Sequence, residues 1–362
     1  MMGGQQFWRK KVMLVRSLID SDLQAFLHQY HIPGLAIAVV QAGELTYQQG
    51  YGFANLEHSI PVTEHTVFEI ASVGKVFTAM LVVLLADEGL LTFDHSVRDY
   101  LPDLPVAWQP VTLRHILSHQ SGLPSYTEVE DYWDRTHLNL PPLEVLGWVS
   151  HLPLKFKPGD YVSYDNTGFY LLGLVLETVT GQSYGELLRD RIFQSLHMTQ
   201  SQINDPTELV PQRAAGYQWR NSRLCNKPYY SPAMTYAAGG HLASLADLVK
   251  WEQALCKGTL LPHDRLAALW QPRPSALGQE WTTWGYGMGL GWFVLNYGDR
   301  RVVGHNGSIV GFASNMTRFL DDHLTVIVLC NGDGIARPDA IAKTVAGHCN
   351  AAIAALPLQP PM

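Results

Sequence analysis

Residues 68–90 read FEIASVGKVFTAMLVVLLADEGL and place a hydroxyl, Ser72, and an amine, Lys75, three residues apart where an apolar helix opens. Positions i and i+3 share a helix face, so the lysine head reaches the serine oxygen. A serine hydroxyl is a weak nucleophile at neutral pH and needs a neighbouring base. A lysine desolvated in a cleft can lose its proton and serve as one. The N-terminus of a helix adds backbone N–H groups aimed at a reacting centre. By itself the spacing also suits a helix cap followed by a surface lysine, so the rest of the chain has to decide.

Working outward, residues 15–29 carry a helical apolar period. GLAIAVVQAGELTYQQGYGFANLE then reads as two strands joined at Gln41-Ala42-Gly43-Glu44, with glycine at a turn position. Beyond Ser72 the chain turns helical over residues 76–89, 112–120, 167–181 and 184–196. Strands return as GWFVLNY, RVVGHNG, FASNMTRFL and HLTVIVLC, and a helix over residues 338–355 closes the chain. Strands at both ends and helices between them predict an α+β class. An antiparallel sheet built from residues 15–75 and 280–362 and covered by terminal helices forms one domain, and residues 76–279 form a mostly helical one.

Composition fits a globular enzyme. The 362 residues are 47% hydrophobic and 16% charged, enough for one large or two ordinary domains. The net charge of −7 is spread without runs, which argues against a nucleic-acid groove. The 21 prolines and 31 glycines form no repeat. Cys225, Cys256, Cys330 and Cys349 form no C-x-x-C pair and read as inert thiols, Cys330 buried in an apolar strand. No stretch approaches a membrane span, and VMLV is too short for a secretory core. If the chain is complete it is expected in the cytoplasm; if a leader was removed, in the periplasm or outside the cell.

Two further stretches carry chemistry: Tyr164-Asp165-Asn166 and His305-Asn306-Gly307. With Ser72-Val73-Gly74-Lys75, in this order, they resemble the three active-site motifs of the penicillin-recognising serine hydrolases. That group holds class C beta-lactamases, D-alanyl-D-alanine carboxypeptidases, D-aminopeptidases and beta-lactamase-like esterases. TLRHILSHQSGLP at 112–124 and Ala237-Ala238-Gly239-Gly240, followed by Ser244-Leu245-Ala246-Asp247-Leu248, resemble two more of its segments. The resemblance spans residues 20 to 350. It implies the beta-lactamase/transpeptidase-like fold, a cleft between the two domains, and an acyl-enzyme on Ser72.

Roles follow. Ser72 is the expected nucleophile, and Lys75 and Tyr164 share the proton traffic. A nearby ammonium favours the phenolate, so the Tyr164 pKa is expected to fall. Asn166 is expected to hold the Lys75 amine and touch a substrate amide, with Asp165 turned away as a turn former. By resemblance, the backbone N–H of Ser308, on an edge strand, joins that of Ser72 as the oxyanion hole, and Gly307 lets that backbone approach the ligand. His305 stands where many lactamases of the group carry lysine, so capture of a substrate carboxylate is expected to be weaker or pH-dependent. Trp281, Trp284 and Tyr286 read equally as a cleft wall or a packed strand. His115 and His119 lack the glutamate of a zinc helix, so no metal is expected, nor any other cofactor. The absence of G-x-S-x-G argues against an α/β-hydrolase.

The expected function is therefore serine acyl hydrolysis of a small ester, a D-amino-acid peptide or amide, or a beta-lactam. The alternative is an inactive binding protein on the same scaffold, against which the four intact polar residues argue. The expected partner is a small acyl substrate, with neither nucleic acid nor a membrane, and the expected assembly is a monomer or small homo-oligomer.

Overall fold

The computed structural model describes residues 2–278, 286–333 and 337–356. Its centre is an antiparallel eight-stranded sheet. The N-terminal part gives β1 (Gly34–Gln41), β2 (Glu44–Asn55) and β3 (Ile60–Pro61). The C-terminal part gives β4 (Gly287–Met288), β5 (Phe293–Tyr297), β6 (Arg300–Ile309), β7 (Phe312–Phe319) and β8 (Leu324–Cys330). Their order across the sheet is β3-β2-β1-β8-β7-β6-β5-β4. The two ends of the chain meet in the middle, with Leu35 opposite Cys330 and Gln41 opposite Leu324. The β1–β2 turn is Ala42-Gly43, with φ of 51° and 80°, as a two-residue hairpin of this twist requires.

Sequence alternation assigns each strand's two faces. Leu35, Ile37 and Val39 of β1 pack with Val326 and Val328 of β8 under the terminal helices α1 (Met2–Gln29) and α5 (Pro338–Cys349). Ala36, Ala38 and Val40 point the other way, into the larger core shared with α2 (Lys75–Asp87), α3 (Thr167–Thr180) and α4 (Leu245–Lys257). A strand buried on both faces needs an unbroken apolar run, which GLAIAVVQ supplies. Cys330 is buried, and all four cysteines are free.

Several predicted elements are shorter or more broken than expected. The helix at 112–120 spans only Leu113–Leu117, because His119 adopts a left-handed φ of 53°. The helix at 184–196 divides into an α-helix, Tyr184–Leu188, and a π-helical turn, Arg189–Phe193. The C-terminal helix stops at Cys349, and Asn350 caps a separate turn. The middle of the chain also holds short strands that no long apolar alternation announced, among them His241–Ser244, which is the centre of its own small sheet.

Candidate active site

Ser72 does not sit on α2 itself but on a 3-10 turn, Ala71–Gly74, directly before it. Ala71 holds a φ of 47°, unfavourable for a residue with a Cβ. Two glycines let the turn be gripped from both sides. A Cβ on Gly307 would lie 2.3 Å from the Ile70 carbonyl oxygen and 2.4 Å from Ser314 Oγ. A Cβ on Gly74 would lie 2.0 Å from His241 Nδ1. Gly307 was expected to admit a ligand; instead it admits the backbone that carries Ser72. Ser314 Oγ reinforces this contact by donating to the Ile70 carbonyl at 2.7 Å.

Lys75 is fully buried, and its Nζ has three oxygens around it: Ser72 Oγ at 3.1 Å, Asn166 Oδ1 at 2.9 Å and the Ala238 carbonyl at 2.5 Å. Burial lowers its pKa to about 7, and the Asp165 carboxylate opposes that fall. Two of the three oxygens, the amide and the carbonyl, only accept. The neutral amine therefore spends both N–H groups on Asn166 and Ala238, and its lone pair is left for the proton of Ser72.

Tyr164 hydrogen-bonds Ser72, but its pKa moves opposite to expectation. Burial drives it up, beyond the lowering from the Ser72 contact. The ring lies 4.3 Å from His119, centroid to centroid, and Lys75 Nζ is 5.0 Å from the ring centre. Desolvation of a phenolate is the largest influence here, and Lys75, with a pKa of about 7, is only part-charged at neutral pH.

Asp165 was expected to face away and is instead buried. It accepts from Ser121 Oγ at 3.0 Å and from the Gly168 N–H at 2.6 Å, at the start of α3. Burial raises its pKa to about 6. His119 Nδ1 accepts the Asp165 N–H at 3.2 Å, so the sequence-level pair His115 and His119 divides: His119 packs behind Tyr164, and His115 caps its own helix through Thr112.

His305 is buried, with Nδ1 2.6 Å from the Asn306 carbonyl, so Nδ1 carries the proton. Burial, with Lys75 nearby, lowers its pKa to about 3. It is a neutral imidazole at any working pH and supplies no cation. β6 is internal over Arg300–Gly304, where it pairs with β5. From His305 onward it pairs only with β7, so the edge begins within the strand rather than along it. Ser308 is exposed there and lines a cavity of about 300 Å³ beside Ser72 and Asn166.

Tyr126, Tyr132, Trp133 and Tyr230 give that cavity an aromatic wall, and no Lys, Arg, Asp or Glu lines it among the described residues. A second hollow of about 630 Å³ shares Trp133, Tyr230 and Ser308 with it and reaches Arg220 and His137. This wall was not foreseen. Of the three aromatics that read equally as a cleft wall or a packed strand, Trp281 and Trp284 lie outside the described residues, and Tyr286 is a packed residue with its ring 4.5 Å from Phe293.

Sequence reading also missed a buried chain behind the lysine. Thr78 Oγ1 lies 2.7 Å from the Ala237 carbonyl, Tyr184 Oη 2.6 Å from Thr78, and His241 Nε2 2.8 Å from Tyr184. The Thr78 proton goes to the carbonyl, so Tyr184 donates to Thr78, and His241 must donate from Nε2. His241 Nδ1 is then a bare acceptor against Gly74 with no partner, consistent with a pKa brought down to about 3 by burial. The chain ends on Ala237, next to the carbonyl that holds Lys75.

Among curated proteins, the chain is 29% identical to "Penicillin-binding protein 4*" of Bacillus subtilis over 84% of its own length and 68% of that protein's. It is also 29% identical to "Protein flp" of Staphylococcus aureus, where it covers 86% of its own length and 62% of the relative's. Among solved structures, the octameric penicillin-binding protein homologue from Pyrococcus abyssi superposes with a TM-score of 0.81 at 27% identity, covering 91% of this chain and 76% of that one. The penicillin binding protein from Bacillus halodurans gives 0.78 at 28%, covering 91% and 98%. The D-amino acid amidase from Ochrobactrum anthropi shares the fold, with a TM-score of 0.76 at 24% identity, covering 92% and 97%. The Beta-lactamase family model matches residues 19–348, which takes in the Ser72 turn, the Tyr164 loop and β6 together, and the chain belongs to that family.

Proposed function

We propose that this protein is a serine acyl hydrolase that forms an acyl-enzyme on Ser72 and acts on a small, neutral ester or amide. The observation that carries this reading is Lys75: a buried amine with a pKa near 7, held by Asn166 and Ala238 with its third position on Ser72 Oγ. In the first half-reaction the Ser72 proton passes to Lys75 as Oγ bonds the acyl carbon. The backbone N–H groups of Ser72 and Ser308 receive the developing oxyanion. As the bond to the leaving group breaks, Tyr164, a protonated phenol, gives its proton to the leaving atom and is reprotonated from Lys75. In the second half-reaction water bonds the acyl carbon, its proton enters the same pair, and the bond to Ser72 Oγ breaks as Oγ regains a proton.

The neutral substrate class rests on the cavity. Its aromatic wall suits an apolar acyl group, and His305, uncharged, offers a carboxylate no counter-ion. That favours neutral esters and amides over beta-lactams, whose carboxylate calls for a cation. The cleft lies between the sheet domain and the helical domain as we divide them.

Labelling with a fluorophosphonate tests the nucleophile, and hydrolysis of p-nitrophenyl butyrate tests the reaction. The wild type should be labelled and turn over the ester, and Ser72→Ala should do neither. A Ser72→Ala protein labelled at the wild-type rate overturns the assignment.

A further inference from the structure

A third cavity, of about 480 Å³, lies away from Ser72, between the β1–β2 turn, the ends of β7 and β8, α4 and the helix His263–Leu269. This is the size of a small-molecule site. Its polar groups are out of balance. Glu252 is buried with both oxygens engaged: Arg318 Nε at 2.8 Å, Thr325 Oγ1 at 2.9 Å and Cys256 Sγ at 3.0 Å. The thiol's pKa is pushed up to about 12, mostly by burial, so it stays a donor and not a nucleophile.

The donors are in surplus. Arg318 is 5% exposed and stacks over Trp270, its guanidinium carbon 4.3 Å from the ring centre. Its Nη1 has no acceptor, and neither has Trp270 Nε1. Arg301, His263 and His323 line the same space, and among the described residues Glu252 is its sole acid. Burying donors without acceptors costs free energy that an incoming acceptor recovers. A guanidinium held over an indole and tied at Nε to Glu252 is preorganised for the two oxygens of a carboxylate. The remaining walls, Leu255, Ala267, Phe319 and Leu324, are apolar.

We infer that this cavity is a binding site, separate from the catalytic cleft, for a small organic carboxylate with an apolar body. The head group meets Arg318 and Arg301, and the body lies along Leu255 and Phe319.

Calorimetric titration of the full chain with octanoate, octanamide and inorganic phosphate tests this. Octanoate should bind saturably, at least tenfold more tightly than octanamide or phosphate, and equally well in Ser72→Ala. Ala267 is exposed on its helix, so Ala267→Trp should fold normally and lose octanoate binding at least tenfold. The paired change Arg318→Met with Glu252→Met removes both charges together, leaves no lone buried ion, and should cut the preference for octanoate over octanamide at least fivefold, Arg301 keeping the remainder. No saturable octanoate binding, binding unchanged by Ala267→Trp, or equal affinity for octanamide or phosphate each overturns the proposal.

Discussion

Lys75 Nζ donates to the carbonyl oxygen of Ala238 at 2.5 Å, across a sequence separation of 163 residues. With Asn166 on its other side, this contact leaves the third valence of the amine on Ser72. An isolated S-x-x-K pair on a solvated helix has no such direction. Here the orientation is fixed by a carbonyl and an amide, neither of which can give the amine a proton.

The acid limb of catalysis should therefore report Lys75. Below its pKa of about 7 the lysine is an ammonium and no base is present; above it the lone pair is free. kcat/KM for p-nitrophenyl butyrate should rise through pH 6 to 8 and level off. Lys75→Arg, permanently charged, should lose about a hundredfold to ten-thousandfold at every pH. A wild-type profile flat from pH 6 to 8 would show that Lys75 is not the base.

Tyr164 should matter in proportion to the leaving group's need for a proton. Its phenol is held protonated by burial, so it acts as donor rather than base. Tyr164→Phe should cost little with a p-nitrophenyl ester, whose leaving group departs as an anion, and much more with the matching anilide. On the anilide, Lys75→Ala, Tyr164→Phe and the double variant should lose similar amounts, because groups that act as one unit are not additive. Equal losses by Tyr164→Phe on ester and anilide would remove the donor role.

How much of this was legible in the chain depends on range. The nucleophile motif and the Tyr164 loop are local spacings, and the two-ended sheet follows from apolar runs long enough to be buried on both faces. The His241–Tyr184–Thr78 chain was not legible, because its bonds join residues 57, 106 and 159 positions apart and each residue taken alone reads as ordinary core. The pKa direction of Tyr164 and the burial of Asp165 were misread for a related reason. Sequence shows which charges are near in number, but desolvation depends on the whole packed surround, and at both positions it is the largest cause.

The buried chain makes its own prediction. Tyr184→Phe keeps the ring but strands the His241 Nε2–H and the Thr78 oxygen, so thermal or urea unfolding should show a loss of about 1–3 kcal/mol. The change should also raise KM less than it lowers kcat, since the chain holds the segment carrying the Ala238 carbonyl and touches no substrate. Unchanged stability and kcat together would show that the three contacts do not hold that segment.

Substituting the neutral imidazole on β6 should shift substrate class. His305→Lys places an ionisable amine where the wild type has no charge at working pH, and burial beside Lys75 lets it keep its proton best on the acid side. The ratio of kcat/KM for nitrocefin to that for p-nitrophenyl butyrate should rise, most clearly below pH 7. A wild-type preference for nitrocefin, or a ratio unmoved by the substitution, would show that His305 does not select against carboxylates.

Asp165 gives the sharpest sign test, because it touches no substrate and acts on Lys75 through charge. Its carboxylate raises the Lys75 pKa against the larger lowering by burial. Asp165→Asn removes that charge but keeps an oxygen for the Gly168 N–H and offers Ser121 Oγ an N–H in place of the oxygen it now donates to, so the loop should hold. With the carboxylate gone, the ammonium is less favoured and the lysine loses its proton at lower pH. The acid limb of kcat/KM should move down the pH scale, while the plateau above pH 8 stays within a few-fold of wild type. The two titrations are coupled, since Asp165 itself protonates near pH 6 and its charge, where present, raises the Lys75 pKa, so the wild-type limb should also be broader than one group gives, and the variant's should fit a single group. A limb that stays in place, or moves to higher pH, would mean that the carboxylate does not set the protonation of Lys75.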